Sequence, residues 1–395
     1  MNGLVSEITS KLDTYSAWRR DLHAHPELGF EEHRTRGFIA EILDKAGLKI
    51  SAPIGVTGLV ATLEACDGPT IGLRADMDAL PMDEGNTFAW RSKKQGVFHG
   101  CGHDGHTVSL VAAALALCER KQCDATIHFI FQPAEEGLGG GQRMIDEGLF
   151  EQYPCDAIFG FHNMPLLPLG VGTVRCGAGM ASFDEFHIEF TGKGGHAGMP
   201  HQTRDCAPAI AEAILSLQSL VSRELNPQSS AVVSVTQIHM GKTHNVIEKS
   251  GWLAGTVRAL DAQARRQLED GVKRVSSGVA MARDVEAEVR YERRFPVLVN
   301  EEKASLTAKN ALLGTLGENN FDASFPALMA SEDFAFMLEH CPGAYILLGQ
   351  SEGPGQPMVH HPEYDFNDKL IPYAAASLIG CVDQFCKEYH AAKTA

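Results

Sequence analysis

The chain has 395 residues, with 34 Lys and Arg against 50 Asp and Glu, a formal net charge of −16, ten cysteines and 17 histidines. At about 100–200 residues per domain the length suggests two or three domains. A composition of 44% hydrophobic and 21% charged residues excludes wholesale disorder. The acidic surplus argues against nucleic acid or an anionic membrane as partner, because both call for basic surface.

The ten cysteines are far below the density of a disulfide scaffold, and no Cys-x-x-Cys pair suggests a zinc ribbon or redox site. Cys118 and Cys381 sit in apolar runs, where a buried free thiol is expected. The amino-terminal segment MNGLVSEITSKLDTYSAWRR has no basic stretch followed by an apolar core, and no run of about 18 apolar residues offers a membrane span. These readings point to a reduced, cytoplasmic, soluble protein.

In chain order, residues 1–47 read as helices, with spaced apolar positions from Val5 to His23 and with Gly29 and Gly47 as punctuation. Strand-like runs follow at 58–65, 70–77, 125–132 and 156–163, with a helical segment at 106–121 between the second and third. Apolar strands alternating with helices predict an α/β sheet with buried strands, whose ligand sites collect at the carboxyl ends of strands. From 182 the rhythm changes. SFDEFHIEFTGK (182–193) alternates strictly, followed by a helix at about 205–223, strands at 230–240 and 251–260, a helix at about 261–282 and a strand at 284–295. That β-α-β-β-α-β order is the ferredoxin-like pattern. Buried helices and apolar strands, notably AYILLGQ (344–350), return after it. The chain is therefore expected to hold an inserted α+β domain at 182–293 within a discontinuous domain of 1–181 and 294–395.

The densest polar cluster is FHGCGHDGHT (98–107), with His99, Cys101, His103, Asp104 and His106 among glycines. Thiolate with imidazole is a donor pair that transition metals favour, although a polar loop with a helix-capping Asp has the same composition. In QPAEEGLGGG (132–141), adjacent Glu135 and Glu136 follow an apolar strand. Neighbouring carboxylates point in different directions, so one can bind a metal while the other handles a proton; alone, the pair is equally an acidic turn. His162 in FGFHNMP adds an imidazole just past an apolar strand, and VHHPEYDFND adds the neighbouring His360 and His361 before a proline. Jointly, Cys101, His103, Glu136, His162 and His360 make a set sufficient for two ions with open positions.

RADMDALP (74–81), GCGHDGHT (100–107), QPAEEG (132–137), FGFHNMP (159–165), GKGGHAGMPH (192–201) and SEDF (331–334) resemble the M20 metallopeptidase family, in particular its amidohydrolase branch of hippurate, N-acyl-amino-acid and auxin-conjugate hydrolases. The resemblance runs in order from about residue 10 to 385. It implies a zinc-peptidase-like catalytic domain, a mixed sheet flanked by helices, with the ferredoxin-like insert serving as lid and homodimer interface. It implies two divalent ions per subunit (Zn, Mn, Co or Ni) on Cys101, His103, Glu136, His162 and His360, with Cys101 bridging. Glu135 matches the general base and Asp76 the acid that buttresses a ligand histidine. His196 matches a histidine that reaches the neighbouring subunit's site and hydrogen-bonds the oxyanion. Asn245 and Arg258 match positions near the substrate. The wider family has His where this chain has Arg74, a departure that favours acyl-amino-acid substrates over peptides. NVIE replaces the usual NVIP after His244, and HAG the frequent HAA at 196–198.

The expected reaction is hydrolysis of a small N-acyl amino acid to a carboxylic acid and an amino acid. Three alternatives differ in class. A metal-free thiol hydrolase would use Cys101 with His103 or His106, and would survive chelation. A non-catalytic binding protein on the same scaffold would have lost the base or a ligand. A dipeptidase or aminopeptidase would prefer a free substrate amine.

Overall fold

Apolar runs bounded by glycines and acidic caps become the central elements in a computed structural model, which describes residues 3–65, 68–120 and 124–394. Met1 and Asn2 of the amino-terminal segment, Lys121 at the end of the expected 106–121 helix, and Ala395 lie outside the described residues. The chain opens with α1 (Gly3–Thr9), α2 (Leu12–Ala24), α3 (His33–Lys45), β1 (Lys49–Ile50), β2 (Leu59–Leu63) and β3 (Thr70–Asp76). Next come α4 (His103–Cys118), β4 (Thr126–Gln132), α5 (Gly140–Asp146), α6 (Leu149–Gln152), β5 (Ala157–Pro168) and β6 (Gly172–Thr173). After these come β7 (Phe183–Thr191), α7 (Cys206–Ser219), β8 (Ala231–His239), β9 (Ser250–Ala259), α8 (Ala262–Arg283) and β10 (Glu286–Phe295). The last are α9 (Glu302–Leu316), α10 (Phe334–His340), β11 (Gly343–Ser351) and α11 (Ile371–Thr394).

The chain divides into two compact units. The first takes the described residues up to Gly177, Val299–Pro326 and those from Asp333 on; the second takes Ala178–Leu298 and Ala327–Glu332. The first unit holds a mixed seven-stranded sheet in the order β1-β2-β4-β3-β5-β11-β6. Its middle is parallel: Asp76 of β3 pairs with Gln132 of β4, Arg74 with Gly160 of β5, and Leu347 of β11 with His162 of β5. The carboxyl ends of β3 and β4 therefore stop side by side, and β5 continues past them.

The helix α4 is apolar all round, and nearly every residue from His103 to Leu117 is buried. A helix of that composition has to be covered on every face, and it packs among α2, α11 and the sheet. Its first turn, with His103, Asp104 and His106, faces the interior as well.

In the second unit the order β-α-β-β-α-β runs through an antiparallel sheet arranged β8-β9-β7-β10, the split βαβ arrangement. β7 alternates strictly, burying Asp184, Phe186, Ile188 and Phe190, as a strand with one covered face must. Asp205 and Asp261 cap the two helices by accepting from the amides of Ala207 and Ala264. Among the described residues, no helix is long and apolar enough to cross a membrane.

Candidate metal centre

The first unit's site is built where β3 and β4 run out, beside the middle of β5. Two glycines let α4 begin there. Gly102 has φ +93 immediately before His103, and a Cβ on it would lie 2.5 Å from the Tyr364 hydroxyl. Gly105 is pressed by the Phe366 ring, where a Cβ would meet ring atoms at 2.4 Å. The helix starts at His103, three residues before the expected start, which places His103 and His106 on one face of its first turn.

Cys101, His103 and His162 bring one donor atom each within 4.8 Å of one another; so do Cys101, Glu136 and His360, and so do His103, Glu135 and Glu136. The Cys101 Sγ is 3.3 Å from His162 Nε2, and Glu136 Oε1 is 3.9 Å from His103 Nε2 and 3.3 Å from His360 Nε2. The imidazoles are oriented from behind. His162 donates through Nδ1 to the Asn163 carbonyl at 2.7 Å, and His103 donates through Nδ1 to Asp78 at 3.2 Å. Each arrangement leaves Nε2 with its lone pair toward the cluster.

Two buried atoms here, His103 Nε2 and Glu136 Oε1, make no hydrogen bond in the protein. Buried polar atoms without partners are costly, and a cation held among thiolate, imidazole and carboxylate donors satisfies both. The residues fit a divalent transition metal. Burial, with the Glu136 charge, pushes the Cys101 thiol up, so without a cation it is held as the thiol. Burial and the neighbouring His106 hold His162 well below the ordinary histidine range, in the neutral form a metal takes.

Asp76 sits differently from its expected place. It accepts from His106 Nδ1 at 2.6 Å and from Arg74 at 2.7 Å, whereas its nearest approach to His103 Nδ1 is 3.9 Å. The carboxylate that touches His103 is Asp78, whose other oxygen accepts from the Glu136 amide at 2.9 Å. Sequence reasoning passed over Asp78. The available signal was RADMD itself, because residues two apart in an extended chain share a side. Burial opposes the charge on Asp76, but His103, His106 and Arg74 together hold its carboxyl well below the usual range.

Arg74 is fully buried. It donates to Asp76, to Gln132 at 2.9 Å and to Asp333 at 3.1 Å, so this cation is spent inside the unit. Behind α4, Asp104 accepts from His23 at 2.7 Å, and the buried Arg19 lies 3.5 Å away.

The second unit brings His196 and Asn245 together. Short strands pair Val246 with His196, and the Ala197 amide donates to the Asn245 carbonyl at 3.1 Å. His196 is exposed, and its Nδ1 accepts from the Gly198 amide. Arg258 lies elsewhere in that unit, donating to the Ser331 hydroxyl at 2.9 Å and lying over the Phe183 ring.

The sequence pattern described as Peptidase family M20/M25/M40 matches residues 72–384, and the chain belongs to this family. It is 39% identical over 374 residues to a hippurate hydrolase of Campylobacter jejuni, covering 94% of this chain and 97% of the relative. It is 37% identical over 362 residues to an N-acetylcysteine deacetylase of Bacillus subtilis, covering 90% and 93%. A crystal structure of the Bacillus subtilis YXEP protein, described as a dinuclear metal-binding peptidase of the M20 family, superposes with a TM-score of 0.84 at 32% identity, covering 96% of this chain and 99% of that one.

Proposed function

We propose that this chain is a metal-dependent amidohydrolase that cleaves N-acyl amino acids, such as benzoyl or acetyl derivatives, to a carboxylic acid and a free amino acid. The observation that carries the reading is the pair of donor triplets sharing Cys101, with Glu135 beside them. The names of the hippurate hydrolase and N-acetylcysteine deacetylase relatives support the substrate class.

Cys101, His103 and His162 would hold one divalent ion and Cys101, Glu136 and His360 a second, the ions being Zn, Mn, Co or Ni. When bound, such ions polarise the amide carbonyl and make water acidic near neutral pH. Glu135 takes the proton of the attacking water and returns it to the leaving amine. Asp78 fixes the His103 tautomer, and Asp76 supports it through charge while anchoring His106.

In the same reading the second unit is a lid and dimerisation unit, supported by the βαββαβ order and by the exposure of His196. His196 donates to the tetrahedral oxyanion in the neighbouring subunit's site, and Asn245 and Arg258 contact the substrate. A positioned oxyanion donor is worth about 2.7–4 kcal/mol of barrier.

The test is Glu135→Gln, assayed on benzoyl-glycine with metal content measured in parallel. Turnover should fall by about 10²–10⁴-fold while the metal-to-chain ratio stays at the native value. Native turnover in this variant would sink the assignment. Preference for glycyl-glycine over benzoyl-glycine would instead make the enzyme a dipeptidase.

A further inference from the structure

The turn that carries Glu135 is held on both sides by buried carboxylates. Ala134, fully buried, has φ +53, a left-handed conformation that a residue with a Cβ adopts only under constraint. Its amide donates to Glu32 Oε1 at 2.8 Å. Two residues on, the Glu136 amide donates to Asp78 at 2.9 Å. The amides flanking Glu135 are thus both tied down. The turn closes with Gly140 donating to the Ala134 carbonyl at 2.9 Å and Gly137 donating to the Glu135 carbonyl at 2.7 Å. Gly29 leaves room for this approach, since a Cβ on it would come within 2.9 Å of the Ala134 Cβ.

Glu32 touches none of the proposed metal ligands. It is wholly buried at the start of α3, and its second oxygen accepts from the Thr57 hydroxyl. Both oxygens are therefore engaged by uncharged donors. Burial first, then the Asp78 charge, lifts this carboxyl to about 7. A buried acid at the edge of a catalytic turn, with no counter-charge among these contacts, is costly to keep for packing alone.

We infer that Glu32 is a positioning residue for the hydrolysis: by pinning the Ala134 amide in its left-handed conformation, it sets the direction from which Glu135 meets the attacking water. The inference rests on Glu135 as general base.

Glu32→Ala, Glu32→Gln, Thr57→Val and Glu135→Gln are compared on benzoyl-glycine, each with metal content measured. Glu32→Ala should lower kcat by about 10²-fold, the scale of a misplacement near 1 Å, with KM and metal content unchanged. Glu32→Gln should recover to within about fivefold of native, because its amide oxygen accepts from Ala134 while the Thr57 hydroxyl turns to accept from its NH2. If Glu32→Ala does not fold, Thr57→Val decides: lower kcat at native KM supports the role, and native kcat overturns it. Native kcat in Glu32→Ala, a Glu32→Gln as impaired as Glu32→Ala, or loss that appears only as weaker KM or lost metal overturns it equally. The Glu135→Gln arm separates the two claims. If that variant is inert while Glu32→Ala is native, only the positioning role fails; if Glu135→Gln is active, the general-base reading fails and the positioning role with it.

Discussion

Replacing Arg74 by methionine keeps most of the side-chain volume and removes every donor. In the native protein the fully buried guanidinium bonds Asp76 at 2.7 Å, Gln132 at 2.9 Å and Asp333 at 3.1 Å. Asp333 keeps Gln132 and the Gly141 amide, each within 2.8 Å, but the Asp76 oxygen that faced Arg74 loses that cation inside the protein. Removing one partner of a buried pair costs about 3–5 kcal/mol. At roughly 2 °C per kcal/mol for a unit this large, Tm should fall by roughly 6–10 °C at pH 7. The pH dependence follows from the sign of the shift. The folded Asp76 carboxyl is held below its unfolded value, so its stabilising contribution is complete above the unfolded pKa of about 3.9 and is lost as pH falls through the folded one. In Arg74→Met the hold of His103 and His106 remains but the Arg74 part is gone while burial still opposes the charge, so protonation relieves the charge at a higher pH than in the native protein. The difference in Tm between native and variant should therefore be widest near neutrality and shrink on acidification. Arg74→Lys, with one point charge instead of a fork, should fall between them. Calorimetry from pH 7 to 4 reads all of this. A Tm within about 2 °C of native, or a difference that ignores pH, would refute the reasoning.

Other outcomes are expected. Burial drops His128 from the ordinary 6.5 to about 4, so the native protein should lose stability as pH falls from 6.5 toward 4, where the unfolded histidine takes a proton that the folded one refuses. His128→Gln should flatten that part of the Tm-against-pH curve, and superimposable curves would exclude the histidine as its source. Gly105→Ala drives a methyl to 2.4 Å from the Phe366 ring and should lower stability by about 1–3 kcal/mol, seen as a lower urea midpoint; an unchanged midpoint refutes it. Chelation should lower Tm, because His103 Nε2 then makes no hydrogen bond and Glu136 Oε1 is left with only the neighbouring imidazoles, His360 at 3.3 Å and His103 at 3.9 Å. Zinc or manganese added back at about 100 times its Kd should restore roughly 2.7 kcal/mol, and a Tm indifferent to both treatments would count against the metal centre.

Local pattern made part of this site legible. Cys101, His103, Glu136, His162 and His360 stand in short polar motifs, those of Glu136 and His162 following apolar runs, and a strand that leads into polar residues marks the carboxyl edge of a sheet. What stayed hidden depends on burial and distant pairing. Arg74 meets Asp333 across 259 positions, and Glu32 meets Ala134 across 102. No periodicity links such residues. The Asp76 and Asp78 pair shows the limit from the other side. Read from the sequence, Asp76 alone is the acid behind a ligand histidine, whereas which of the two touches His103 is decided by ångström differences at the end of β3, below what spacing can resolve. The α4 boundary was misplaced for a related reason, since a left-handed Gly102 starts the helix among histidines rather than at an apolar position.

The burial of α4 on every side also bears on how the protein is made. Part of its cover is α11, which follows the second unit in the chain, and His360 is translated in the same late stretch. As the polypeptide leaves the ribosome, the apolar helix and four of the five proposed donors emerge long before the residues that cover and complete them. The exposed helix is the kind of surface that chaperones hold. The proposed donor set is accordingly complete only once the stretch that carries His360 has been made.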